Sequence, residues 1–213
     1  MAGILDLLNS NLGKTIISGV ASSTGQNTNK TANVLNMALP VLVKAMQRNA
    51  STSEGAKGLQ KALSNKHDGS ILDNLGSLFK GGVDSDVLQD GSKIVGHVLG
   101  NKQKGVEQII SQKSGVEASA VGSIIKTAAP VLMGFLGKQN KENNSGNIGN
   151  LLGGLLGGDS SKKEQNFFEQ ILDADGDGSI VDDLADMVLG SGRQKSSKNG
   201  ILGGVLGGLF GKK

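Results

Sequence analysis

Asp173, Asp175 and Asp177 alternate along a six-residue stretch that ends in Gly178. Carboxylates at positions 1, 3 and 5 followed by Gly at 6 are the first half of an EF-hand-type calcium loop. Calcium takes six to eight oxygens, and a tight loop aims alternate carboxylates at one point. Gly178 permits the sharp turn, Ser179 at position 7 offers its backbone carbonyl, and Ile180 supplies the apolar anchor at position 8. Position 12 departs from the pattern: Leu184 stands where a bidentate Glu closes the shell, with Asp182 and Asp183 just before it. The expected chemistry is calcium binding by Asp173, Asp175, Asp177 and Ser179, completed by Asp182, Asp183 or water. The competing reading is an acidic solvated turn with no specific ion.

A second stretch repeats this element in weaker form. Asp68-Gly69-Ser70-Ile71-Leu72-Asp73 matches Asp177-Gly178-Ser179-Ile180-Val181-Asp182, 109 residues later. Ser64 and Lys66 stand where Asp173 and Asp175 do, and a Lys at a ligand position disfavours a divalent cation. This first loop reads as a helix-starting turn, with His67 as a surface turn residue. His97, between Gly96 and Val98, reads as a structural histidine. Catalytic patterns are not found. With no Cys there is no thiol nucleophile, disulfide framework or Cys-ligated metal. Neither a GxSxG elbow, a phosphate-binding GxxxxGK[ST] loop nor HExxH occurs. A non-enzymatic role is expected.

The elements that carry these loops read as helices. Ile4, Leu5, Leu7, Leu8, Leu12, Ile16, Ile17 and Val20 recur at helical spacing over residues 4–23. Gly25 stops that run, and a second helix starts near Thr28, its expected N-cap. Pro40 predicts a kink or break in that second helix. A short helix is expected near 54–64. The pattern then returns: Ala38-Leu39-Pro40-Val41-Leu42 corresponds to Ala128-Ala129-Pro130-Val131-Leu132, an offset of 90 that also places Gly25 on Gly115. Similarity at a fixed offset points to duplication of a helical hairpin. Both hairpins mimic helix-turn-helix spacing, but their second helices carry few bases, Lys30 in one and Lys126 in the other. Packing hairpins are the better reading, and nucleic acid is not an expected partner.

Gly makes up 34 of the 213 residues, and the chain has no Trp or Tyr. Much of the excess lies in Leu151-Leu152-Gly153-Gly154-Leu155-Leu156-Gly157-Gly158 and its counterpart Ile201-Leu202-Gly203-Gly204-Val205-Leu206-Gly207-Gly208. Each is too short to cross a bilayer, since a spanning helix needs about 20 residues. Glycine makes them marginal as isolated helices, so they need a partner surface: the protein itself, a second copy in a homo-oligomer, or a membrane surface. Polar linkers, Lys138–Gly146 and Gly190–Gly200, flank them. No transmembrane segment is expected. Asp6 arrives before any apolar signal region develops, so the expected location is cytoplasmic. The net charge of +3 is spread over scattered lysines, as on a solvated surface.

The order of these motifs is itself informative. The Ala-Leu-Pro-Val-Leu hairpin at 38–42, Asn49-Ala50-Ser51, Asp68–Asp73, Gly96–Lys102, Ala129–Gly134 and Leu172–Ser179 together resemble the bacterial domain-of-unknown-function family number 937. That resemblance covers nearly the whole chain and implies a bacterial, all-α protein without an assigned activity. In that family the first Asp-Gly-Ser loop is often more acidic than here, which marks Ser64 and Lys66 as lost ligands. The fold class expected is all-α, two related helical hairpin units with an EF-hand-like loop and Gly-rich linkers. The expected organisation is a first helical unit at 1–75, a second at 76–140, a linker at 141–163, the calcium-like loop and helix at 164–190, and a Gly-rich tail at 191–213. The expected function is a calcium-binding structural or interaction module. A nucleic-acid-associated protein, or one that self-assembles or meets membranes through its Leu/Gly segments, is the alternative.

Overall fold

A computed structural model describes residues 3–80, 83–143 and 147–156. These residues are helical, with no strand among them. The order is α1 (Ile4–Asn9), α2 (Asn11–Thr24), α3 (Thr28–Asn49), α4 (Ser53–Asn65), α5 (Ser70–Asp73), α6 (Leu75–Phe79), α7 (Ser85–Leu99), a 3-10 turn (Gly100–Lys102), α8 (Gln103–Ser114), α9 (Ala118–Glu142) and α10 (Ile148–Leu156).

The N-terminal apolar run is two helices rather than one. Ser10 is extended (φ −73°, ψ 169°) and closes α1 while opening α2. Its hydroxyl donates to Leu7 O at 2.6 Å and accepts from Gly13 N at 3.1 Å, so one side chain serves both helix ends. The first residue of α3 is Thr28, but its N-cap is Asn27, whose Oδ1 accepts from Asn29 N and Lys30 N. The short helix expected near 54–64 is α4, with Thr52 Oγ1 accepting from Gly55 N.

Neither proline breaks its helix. α3 runs through Pro40 and α9 through Pro130, and both rings are buried. A helix-internal proline removes one backbone bond and leaves the carbonyl four residues earlier without its partner. Apolar packing along 22 and 25 residues outweighs that single loss.

The core is organised on α9. It packs against α2, α3, α4, α5, α7, α8 and α10, most extensively against α7. Ile124, Ala129 and Leu136 are fully enclosed along its length, as are Val20 on α2 and Val34, Leu35 and Val41 on α3. Close approach of α7 is possible because Gly91 carries no side chain: a Cβ there would strike the Lys126 carbonyl. Among the described helices α9 alone is long and apolar enough to span a membrane. However, 78% of its most apolar window is buried inside the bundle, as a core helix requires.

Part of the first Leu/Gly segment has its partner surface within the chain. α10 lays Ile148, Leu151, Leu152 and Leu155 onto α3, α4 and α9. Upstream of it, α9 continues to Glu142, into the stretch read as linker. The second Leu/Gly segment and the tail lie outside the described residues.

Candidate ligand-binding groove

Helix α4 owes its shape to small residues. Gly55, Gly58, Leu59 and Ala62 follow helical spacing and share one face, where a core helix would carry large side chains throughout. A Cβ on Gly58 would meet nothing within 4 Å. The result is a groove of about 400 Å³ between α4, the last turn of α3, α7 and α9. Met46 and Asn49 line it from α3, Lys93, Ile94, His97 and Val98 from α7, and Met133 from α9, with His67 from the loop after α4. Volume and mostly apolar lining are those of small-molecule sites.

Its polar groups are held in place. Asn49 Nδ2 donates to His97 O at 3.3 Å and Val98 O at 3.2 Å, tying the end of α3 to the last turn of α7, where carbonyls lack helical partners. His97 Nδ1 lies 3.0 Å from Lys93 O and donates to it, since a carbonyl only accepts. The Lys93 ammonium is exposed and has Gln89 Oε1 at 3.5 Å.

His67 is not a surface residue: it is 8% exposed. The reason is long-range. A Cβ on Gly137 of α9 would collide with the His67 carbonyl, so a glycine there lets the loop sit directly on α9. His67 Nε2 lies 3.7 Å from Asp90 Oδ2, while Lys66 Nζ pairs with Asp90 Oδ1. Burial pushes the imidazole below its ordinary value; Asp90 opposes that shift and Lys66 reinforces it. His97, read as structural, is exposed at the groove.

The first Asp-Gly-Ser loop is a helix-starting turn. Gly69 adopts φ +105° and α5 follows from Ser70. Asp68 Oδ2 accepts from Lys141 Nζ at 2.8 Å, and Oδ1 accepts from Ser70 N at 3.1 Å. The hydrogen bond from Lys141, then those from Ser70, hold its carboxyl well below the usual range. Both oxygens therefore have protein donors. Among the described residues no group of three or more His, Asp or Glu is placed to hold a metal. Asp173, Asp175, Asp177, Ser179, Asp182 and Asp183 lie outside the described residues.

Nothing in the sequence reading marked the groove. The available signal was the small-residue face of α4, inside an otherwise amphipathic helix. Lys93 and His97, at i and i+4 on α7, are functional candidates visible only once α4 is placed opposite them.

No curated protein and no solved structure matches the chain. The family described as "Bacterial protein of unknown function (DUF937)" matches over residues 6–139 and 147–213. The chain is therefore a member of the DUF937 family of bacterial proteins, all-α over its described residues.

Proposed function

We propose that the protein is a non-catalytic binding module whose helical bundle receives an apolar ligand in the α4–α7 groove. The observation that carries this reading is the groove itself: about 400 Å³, walled by apolar side chains, with its few polar groups at defined places. Nile red, a neutral apolar dye, tests it. Saturable binding is expected in the full chain and should fall at least tenfold in Gly58→Leu, which fills the groove. Position 58 is helical with open space beside it, so this change favours the helix. Unchanged dye binding in Gly58→Leu would refute the assignment.

Calcium remains a second proposal, resting on the Asp173, Asp175, Asp177 and Gly178 spacing. In this reading Asp182 or Asp183 completes the shell with the Ser179 carbonyl, and the ion orders the residues after it. Calorimetry should show Ca²⁺ binding that Asp175→Ala weakens by more than tenfold. No heat with the parent chain would end the proposal.

The architecture carries a proposal of its own: that the α2–α3 and α8–α9 hairpins descend from one unit. Support comes from Gly25 (φ 65°, ψ 24°) and Gly115 (φ 66°, ψ 25°), which turn the chain alike, and from the prolines placed alike inside the helices that follow.

A further inference from the structure

We infer that the groove's ligand is a single-chain carboxylate amphiphile, a fatty acid of about a dozen carbons; this rests on the groove being the binding site. The walls and the mouth differ in chemistry. Met46, Leu59, Val98 and Met133 offer apolar and, at the methionines, readily adjusted surfaces. At about 30 Å³ for a water-sized group such as a methylene, a groove of about 400 Å³ holds roughly that many carbons.

Among the described residues that line the groove, Lys93 is the one with a formal charge. Lys93 carries an ammonium, His97 sits one turn along the same helix, and no carboxylate is among the described lining residues. Asp90, three residues before Lys93, pairs with Lys66 through Oδ1, and its Oδ2 faces the buried His67 at 3.7 Å. Lys93 itself meets only the neutral Gln89 amide among its described contacts. An ammonium beside an apolar trough matches a headgroup with one negative charge. A cationic amphiphile would meet repulsion there, and an alcohol would gain no ion pair.

Competition against Nile red on the full chain tests this, with ligands kept below micelle formation. Dodecanoate should displace the dye at about five- to tenfold lower concentration than dodecanol, and dodecyltrimethylammonium should be weaker than both. Each two carbons removed from the acid should weaken it about tenfold. Lys93→Met should abolish the preference for acid over alcohol, each competitor being scored against the Nile red affinity measured for that variant. Equal displacement by acid and alcohol, or a preference that survives Lys93→Met, overturns the inference and leaves the apolar groove standing. Failure of Nile red to bind, or binding that Gly58→Leu does not alter, overturns both.

Discussion

The hairpins α2–α3 and α8–α9 share a turn and a helix-internal proline, yet they solve the same backbone problems differently. At the end of α2, Gln26 N donates to Ala21 O at 2.9 Å and Gly25 N to Ser22 O at 3.4 Å, the paired bonds of a Schellman motif. At the end of α8, Gly115 N donates to Ser111 O at 2.9 Å, the single bond of the simpler left-handed cap. There the next amide, Val116 N, turns to Ser114 Oγ at 3.3 Å. Equal glycine torsions therefore do not dictate equal caps. What differs is the following residue, since Val116 is buried at 4% exposure whereas Gln26 is only half-buried.

The prolines make the same point inside the bundle. Pro40 deprives the carbonyl of Asn36, an exposed residue that water can reach. Pro130 deprives that of Lys126, and there the backbone of α7 closes in at Gly91. Of the two carbonyls the prolines leave unpaired, the one with a neighbour sensitive to added volume thus lies on α9 and not on α3. Gly91→Ala should destabilise the protein by about 3 kcal/mol, because its methyl meets backbone that cannot rotate away. Urea unfolding checks this. A loss below about 1 kcal/mol would mean that α7 and α9 slide apart at little cost, and that the two hairpins are equally tolerant.

How far these features were legible from sequence depends on their range. The turn glycines, the loop at Asp68 and the start of α4 follow from local torsional and capping rules, and all can be read from a few consecutive residues. The break at Ser10 could not, because Ile4, Leu7 and Leu8 continue the apolar rhythm of Leu12 and Ile16 in phase with one helix. Choosing Asn27 over Thr28 as N-cap was equally undetermined, since both types cap well. His67 looked exposed because its neighbours are Lys66 and Asp68; its burial depends on Gly137, 70 positions away. The groove was hidden for the same reason. Gly55, Gly58 and Ala62 read as a weak helix until α7 and α9 stand across from them.

The helix starts give a finer comparison. Asn27 and Glu117 occupy the same place in their hairpins, but Asn27 accepts two backbone bonds while Glu117 makes no side-chain cap bond. Asn27→Ala should therefore cost about 1 kcal/mol. Glu117→Ala should cost only a few tenths, through the lost interaction of a carboxylate with the helix dipole. Equal costs in paired urea melts would show that Glu117 caps in solution, and the contrast between the hairpins would vanish at this position.

The smallest signal is a slope with pH, and it reports on the α9 side alone. His67 is pressed onto α9 at Gly137, and burial holds its protonation below the ordinary value of 6.5. Above that value both the folded and unfolded chains carry a neutral imidazole. As pH falls below it, the unfolded chain binds a proton that the folded chain refuses, so stability declines until the folded value is passed. Asp68 has the opposite chemistry but the same direction. Its carboxyl, depressed mainly by Lys141, contributes stability above the unfolded carboxylate value of about 4 and loses it only as pH falls further. The windows are thus separable: between pH 7.5 and 5 the change at this loop belongs to His67. His67→Gln should flatten the stability profile over that interval and leave the loss at lower pH in place. A slope that persists unchanged in His67→Gln would mean that the loop lifts from α9 before the imidazole titrates, leaving Gly137 without the contact that distinguishes α9 from α3.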